Sequence, residues 1–202
     1  MGVGIRTGGA ADREAVVRLL DEGFRDDPVS GWVFPDEEGF RRAHPLMMEA
    51  ILDIVLEAGR VDLTEDGAAV ALWLSIPEGG PEEDGAEEDE DGPARMREAV
   101  DPANERIEWI GRLTEGCHPQ HAAHEYLWMI AVDPSRRGEG LGTALIRSVL
   151  DRCDREGTAA YLEASSARSR ELYRRLGFEV REPVLELPDG PTMWPMWREA
   201  VA

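Results

Sequence analysis

The sequence predicts a single mixed α/β domain over residues 1–202, a twisted sheet of six to seven strands flanked by helices. Three observations lead there. Segments with apolar residues at helical spacing alternate with short β-type runs. One of these runs, Glu125–Val132, is almost wholly apolar, as a central strand covered on both faces must be. A length of 202 residues suits one domain, or one domain with an insertion.

Val3–Arg6 reads as a short first strand. Ala11–Gly23 follows as a helix with Val16, Leu19 and Leu20 on one face. From Gly23 to Gly39 the chain is irregular, broken by Pro28, Gly31 and Pro35 and anchored by Phe24, Trp32 and Phe34. Phe40–Ala58 is a second long helix, whose Leu46, Met47, Ala50, Ile51, Ile54 and Val55 share a helical period. Arg60–Thr64 and Ala68–Ile76 flank Asp66-Gly67, a hairpin signal. Pro77–Pro93 is acidic, rich in Gly and Pro, and has no apolar anchor beyond Ala86, so a flexible, disordered loop is expected at 77–93. Ala94–Thr114 is helical around Met96, Ile107, Ile110 and Leu113. After the central strand come a helix at Leu141–Arg155, a strand at Ala159–Ala164 and a short helix at Ser169–Leu176 ended by Gly177. Strands at Phe178–Leu187 and Met193–Arg198 close the chain, and there is no internal repeat.

The formal net charge is −20, of which nine acidic residues between Glu78 and Asp91 supply a large local share. Such a balance argues against nucleic-acid partners, which need an excess of positive charge to neutralise phosphates. It serves solubility first and favours cationic partners second. No stretch approaches the run of apolar residues that spans a bilayer, and Arg6, Asp12, Arg13, Glu14 and Arg18 interrupt any apolar leader core. A cytoplasmic protein without a membrane partner is expected. Cys117 and Cys153 are too few for a disulfide framework and read as reduced thiols. All 22 basic residues are arginine. The absence of lysine excludes Schiff-base and P-loop lysine chemistry.

The strongest local signal follows the central strand. Asp133-Pro134-Ser135 leads into Arg136-Arg137-Gly138-Glu139-Gly140-Leu141-Gly142-Thr143 and then a helix. Alternate glycines let a backbone approach a ligand closely and aim several N–H groups at one point. The helix start adds its positive end and Arg137 a full charge, which together make a pyrophosphate site. The Rossmann fingerprint fails because Thr143 stands where its third glycine belongs, and the P-loop fails for want of Gly-Lys-Ser/Thr. What remains is Arg-x-x-Gly-x-Gly after a strand ending Val132-Asp133-Pro134.

That pattern resembles the coenzyme A motif of the GCN5-related N-acetyltransferase (GNAT) superfamily. Tyr161-Leu162-Glu163-Ala164-Ser165 and Leu172-Tyr173-Arg174-Arg175-Leu176-Gly177-Phe178-Glu179 resemble the family's next strand and its tyrosine-bearing helix. Phe24-Arg25-Asp26-Asp27-Pro28, the segment from Trp32 to Pro35, and the tail Pro191-Thr192-Met193-Trp194-Pro195-Met196 resemble the puromycin N-acetyltransferase-like branch. The resemblance implies the GNAT acyl-CoA N-acyltransferase fold. It also implies transfer of an acetyl group from acetyl-CoA to a primary amine, by direct attack in a ternary complex. A small-molecule amine, an antibiotic among the options, is the leading acceptor. A protein lysine or N-terminus, and a non-catalytic coenzyme A-binding regulator, are the alternatives. A homodimer is compatible with it.

The same resemblance assigns roles. Ile130, Ala131 and Val132 would pair with the pantetheine arm as with an added strand. Arg137 and the backbone of Gly138, Glu139, Gly140, Leu141, Gly142 and Thr143 would hold the pyrophosphate. Tyr173 would be the general acid toward the departing thiolate, or else simply the aromatic of a helix face with Leu172 and Leu176. Glu125 and His124 are candidate bases for the ammonium, although Glu125 also reads as a charge at a strand end. An Asn common in the family is missing, so Ser166 or Ser169 would contact the cofactor in its place or cap the helix. Phe24, Asp27 and Trp32 are the acceptor-side candidates, with Asp27 also readable as the start of the turn at Pro28. Cys117, His118, His121 and His124 have the chemistry of a zinc site. Pro119 interrupts their spacing and the family needs no metal, so none is assigned.

Overall fold

The computed structural model describes residues 2–80 and 91–201. Its strands are β1 (Ile5–Thr7), β2 (Gly59–Thr64), β3 (Ala69–Ile76), β4 (His124–Val132), β5 (Ala159–Ala164), β6 (Glu179–Val180), β7 (Leu185–Glu186) and β8 (Thr192–Arg198). Its helices are α1 (Arg13–Gly23), α2 (Pro28–Val33), α3 (Glu37–Ala58), α4 (Gly92–Val100), α5 (Glu105–Cys117), α6 (Leu141–Glu156) and α7 (Ala167–Arg175). The sheet runs β1-β2-β3-β4-β5-β8-β6, with β7 on β8. Among the described strands only β4 and β5 are parallel neighbours, and the connection between them carries α6.

Both sheet faces are covered, as the apolar central strands require. On one face α6 and α7 bury Leu145, Ile146, Val149 and Tyr173 against Trp73, Leu127, Leu162 and Met196. On the other, α1 and α3 bury Val16, Leu20, Met48 and Leu52 against Val61, Leu63, Val70 and Leu72. A third cluster gathers Trp32, Phe34, Phe40, Ile107 and Met193 where α2, α3 and α5 meet the C-terminal strands. Arg198, nearly buried, locks β8 to α6 by a two-pronged pair with Asp154 at 2.7 and 2.8 Å. Among the described residues no helix is long and apolar enough to cross a membrane.

The mixed α/β class is as the sequence predicts, and four segments differ. Gly23–Gly39 is not wholly irregular. Asp27 caps α2 by accepting from Val29 and Ser30 N–H at 2.9 and 3.1 Å, and Pro28 fills the first helical position. The helix expected over Ala94–Thr114 is two helices. Pro102 follows Asp101, and Asn104 caps α5 by accepting from Arg106 N–H at 3.2 Å. The strand expected over Phe178–Leu187 is divided into β6 and β7 by Arg181–Val184, where Pro183 cannot donate to a ladder. That division raises the strand number to eight among the described residues. The acidic segment foreseen as a loop at 77–93 lies largely outside the described residues, and its last two residues, Gly92 and Pro93, open α4.

Candidate active site

The site begins where the sheet opens. β4 and β5 pair in parallel at His124↔Ala159, Glu125↔Ala160 and Tyr126↔Tyr161, and there the pairing stops. On the other side of β4 the register slips between Leu72 and Trp73, because Trp128 is inserted between the partners Leu127 and Met129. Such a bulge bends its strand and adds twist. Among the described residues, β4 keeps β3 on one edge from Leu127 to Val132 and has no strand on the other. β5 continues through Leu162–Ala164 against β8 alone. A strand edge of unpaired N–H and C=O groups calls for a partner. An amide-containing arm fits there as an added strand, on the edge that holds Ile130, Ala131 and Val132.

The open edge runs into the glycine loop. Gly138 and Gly140 stand at φ +90° and +82°, left-handed conformations that side chains resist. Gly140 caps α6, and among the described residues no side chain caps the helix's first N–H groups. Leu141, Gly142 and Thr143 thus present uncapped N–H groups at the positive end of a four-turn helix. A Cβ on Gly142 would lie 3.3 Å from Val132 and 3.7 Å from Ile130, so the first turn of α6 packs directly on the open part of β4. Arg137 donates to Gly23 O at 2.9 Å, which ties the loop to the end of α1. Glu139 is held outside by Arg136 at 2.7 Å, while Arg136 also reaches Asp66 at 3.1 Å. An unpaired strand edge continuous with an uncapped helix start fits the pantetheine and pyrophosphate parts of coenzyme A.

Tyr173 lies on α7, only 7% exposed, with its ring edge-on to Phe178 at 6.1 Å. Burial first, and the Asp27 carboxylate second, raise its pKa, so the phenol remains a proton donor at neutral pH. Asp27 is shared between the cap of α2 and the Ser165 hydroxyl, which fastens the α1–α2 segment to the end of β5. Ser166 and Ser169 form a reciprocal cap on α7, with Ser166 Oγ accepting from Ser169 N–H at 3.1 Å and Ser169 Oγ from Ser166 N–H at 3.2 Å. Phe24 is half-buried against the α1–α3 core. Trp32 is built into the scaffold, its Nε1 donating to Pro188 O at 2.9 Å under the Arg106 guanidinium.

The two candidate bases point to opposite faces of β4. Glu125 lies beneath α6, where its Oε1 accepts from Ser75 Oγ at 2.9 Å and meets Arg152 at 3.0 Å. His124 faces away from α6, with Nδ1 2.9 Å from Ala122 O and Nε2 3.0 Å from His118 Nε2. Burial lowers the pKa of both histidines, that of His118 to about 4. Among the described residues no group of three or more His, Cys, Asp or Glu is arranged to hold a metal ion.

One carboxylate escaped selection from the sequence. Glu163 on β5 lies two residues beyond Tyr161, on the same face and just past the last paired position. Its Oε2 accepts from the Tyr126 hydroxyl at 2.8 Å, and its Oε1 is sealed from solvent with no hydrogen-bond partner. Burial pushes its pKa up to about 7, against the lowering pull of the Tyr126 and Tyr161 hydroxyls. Around it stand Tyr126, Tyr161 and His118, whose ring meets both tyrosines edge-on at 4.7 and 4.9 Å, and Cys117, 3.4 Å from the Tyr161 hydroxyl. The available signal was a carboxylate on the inward face of an otherwise apolar strand, where charge is rare unless used.

A half-opened sheet leading into an uncapped helix start is an arrangement that could hold a coenzyme A through backbone groups, and the comparisons with known proteins point to the class of protein. The profile of the Acetyltransferase (GNAT) family matches residues 80–178. Together with the fold and the relatives below, this match supports an acetyl-CoA-dependent acetyltransferase of the GNAT type. A solved acetyltransferase of Corynebacterium glutamicum, described as histone acetyltransferase HPA2 and related, superposes with a TM-score of 0.72 at 26% identity, covering 100% of this chain and 98% of that one. Arylalkylamine N-acetyltransferase 2 of Aedes aegypti shares the fold, with a TM-score of 0.68 at 17% identity over the full length of both chains. An uncharacterized N-acetyltransferase of Schizosaccharomyces pombe is 25% identical over 184 residues, 87% of this chain and 74% of that one.

Proposed function

We propose that this protein acetylates a primary amine of a small molecule by direct attack on acetyl-CoA in a ternary complex. The observation that carries this reading is the unpaired edge of β4 running without interruption into the uncapped start of α6. The edge from Leu127 to Val132 would align the pantetheine arm. Gly138 to Thr143 would hold the pyrophosphate by backbone N–H groups, with the Arg137 guanidinium adding charge. A free backbone N–H on the same edge, at Met129 or Ile130, would polarise the thioester oxygen. Tyr173 would donate a proton to the leaving sulfur. Cys153 is buried among the α6-side core residues and Cys117 rests against the Tyr161 hydroxyl, which supports attack by the amine itself over an acyl-enzyme. Burial also raises both thiol pKa values and so disfavours the thiolates.

The acceptor would enter from the side of Phe24, Asp27 and the β5–β8 strands. The small-amine assignment is supported by the likeness of the Phe24–Pro28 segment and the C-terminal tail to the puromycin N-acetyltransferase-like branch, and by the acidic character of the chain, which attracts ammonium ions. The Corynebacterium relative's description instead suggests a histone-type acceptor, so lysine peptides belong in the test. The test is acetyl-CoA-dependent thiol release with a panel of aralkyl and polyamine substrates, puromycin and a lysine peptide. Release with one or more small amines and not the peptide is the expected outcome. Release with the peptide alone would move the assignment to protein acetylation. Tight acetyl-CoA binding without release from any amine would make the chain a coenzyme A-binding regulator.

A further inference from the structure

A primary amine reaches the site as an ammonium ion and attacks only after it has lost a proton. The two bases suggested by sequence are both engaged. Glu125 is held by Ser75 and Arg152 on the α6 face of the sheet. His124 has one ring nitrogen against Ala122 O and the other against His118. Glu163 differs on each count. It stands at the fork of β4 and β5, where the open edge begins. One carboxylate oxygen is fixed by the Tyr126 hydroxyl at 2.8 Å, and the other is buried without a donor in hydrogen-bonding geometry, although the Tyr161 hydroxyl lies near enough to favour its charge. A buried acceptor left without a full hydrogen bond is costly and rare in native structures. Here it marks a point prepared for an N–H, reached directly or through one water.

We propose that Glu163 is the general base that takes the proton from the acceptor ammonium, with Tyr126 as the residue that positions its carboxylate. This rests on the acetyl-transfer reading above. The ammonium gives one proton to Glu163 Oε1 and its nitrogen lone pair is freed. That pair forms the C–N bond to the acetyl carbon as the C–S bond breaks, and the Tyr173 hydroxyl gives its proton to the sulfur. The nitrogen's second proton, lost as the amide forms, restores Tyr173. Glu163 then returns its proton to solvent, so each turnover yields one amide, one free thiol and one released proton. The titratable groups facing Glu163 are Tyr126 from β4, Tyr161 from its own strand, and Cys117 and His118 from the end of α5. Arg181 is felt at Cys117 from across β8.

The test compares wild type, Glu163→Gln, Tyr126→Phe and Glu125→Gln in pH profiles of kcat/KM, with melting temperature and acetyl-CoA affinity measured alongside. Wild-type activity should fall as pH drops through about 7. Glu163→Gln should lose that acidic limb and about 10²-fold or more in kcat, with acetyl-CoA affinity unchanged. Its deficit should shrink for acceptors whose own pKa lies below the assay pH, since these arrive already neutral. Tyr126→Phe removes a hydrogen bond that favours the charged carboxylate, so the limb should move to higher pH. Glu125→Gln should keep the limb. A Glu163→Gln enzyme that folds and retains the limb, or whose deficit is equal for acceptors of every pKa, overturns the assignment while leaving acetyl transfer intact. A wild type that releases no thiol with any amine overturns both.

Discussion

The glycine loop offers the sharpest test of the proposed coenzyme site. Gly140 caps α6 at φ +82°, and a Cβ added there would meet nothing within 4 Å. The effect of Gly140→Ala is therefore confined to the backbone. A left-handed conformation costs an L-residue roughly 1–2 kcal/mol. If the loop keeps its shape, the melting temperature falls by about 2–8 °C for a domain of this size. If the loop relaxes instead, the N–H groups of Leu141 to Thr143 turn from their common point and acetyl-CoA affinity drops, about tenfold for each 1.4 kcal/mol lost. Differential scanning fluorimetry and titration calorimetry separate the two responses. Gly142→Ala is the control. It lies within the helix, where alanine is favoured, and its methyl group would press on Val132 at 3.3 Å. A Gly140→Ala protein with wild-type melting temperature and wild-type acetyl-CoA affinity would refute the claim that a left-handed turn shapes this anion site.

Tyr173→Phe should lower kcat by about 10²-fold while acetyl-CoA affinity stays the same, measured by steady-state kinetics and calorimetry. Glu163→Gln should change stability in a pH-dependent way. The folded pKa of Glu163, about 7, lies above its ordinary 4.5, so the stability it contributes is complete below pH 4.5 and is lost as pH rises through 7. The variant should therefore gain on wild type between pH 5 and pH 8 by at most roughly 3 kcal/mol, read from urea unfolding at the two pH values. His118 behaves in the opposite sense. Its pKa is depressed to about 4 from 6.5, so its contribution is full above 6.5 and is lost as pH falls toward 4; a histidine NMR titration should find it still neutral at pH 5. Asp27→Ala removes the cap of α2 and the Ser165 contact together, at a cost of about 0.5–2 kcal/mol, measurable by denaturant melts.

Most of the architecture was legible because its signals are local. Helical periodicity located α1, α3 and α6, and the Asp66-Gly67 turn located the β2–β3 hairpin. The motif beginning at Arg137 needed only the order strand, glycines, helix. The misread segments carried signals of their own. Asp27-Pro28 is a cap followed by a first-turn proline, and Pro102 with Asn104 marks an end and a new start. The fork in the sheet was less readable. It lies beside one inserted residue, Trp128, whose neighbours Leu127 and Met129 are equally apolar, so nothing in the pattern reveals a change of register. Glu163 was hidden for the same reason. Its importance comes from the strand pairing that ends beside it, and pairing is a property of two distant segments. Glu125 drew attention as the first charge on the central strand, yet strand alternation turns it toward Arg152 and away from His124's face.

A coenzyme seated at the fork by Tyr126 would hold a second office. A sheet missing half of one seam would be finished by a ligand lying in it, so those amides between Leu127 and Val132 that point away from β3 should exchange quickly in the free protein and slowly in its complex. Binding to the folded chain alone adds stability with ligand concentration, about 2.7 kcal/mol at a hundredfold excess over Kd. The donor of the acetyl group would thus also be a missing piece of the scaffold, and the protein's resistance to unfolding would rise and fall with the supply of its own substrate.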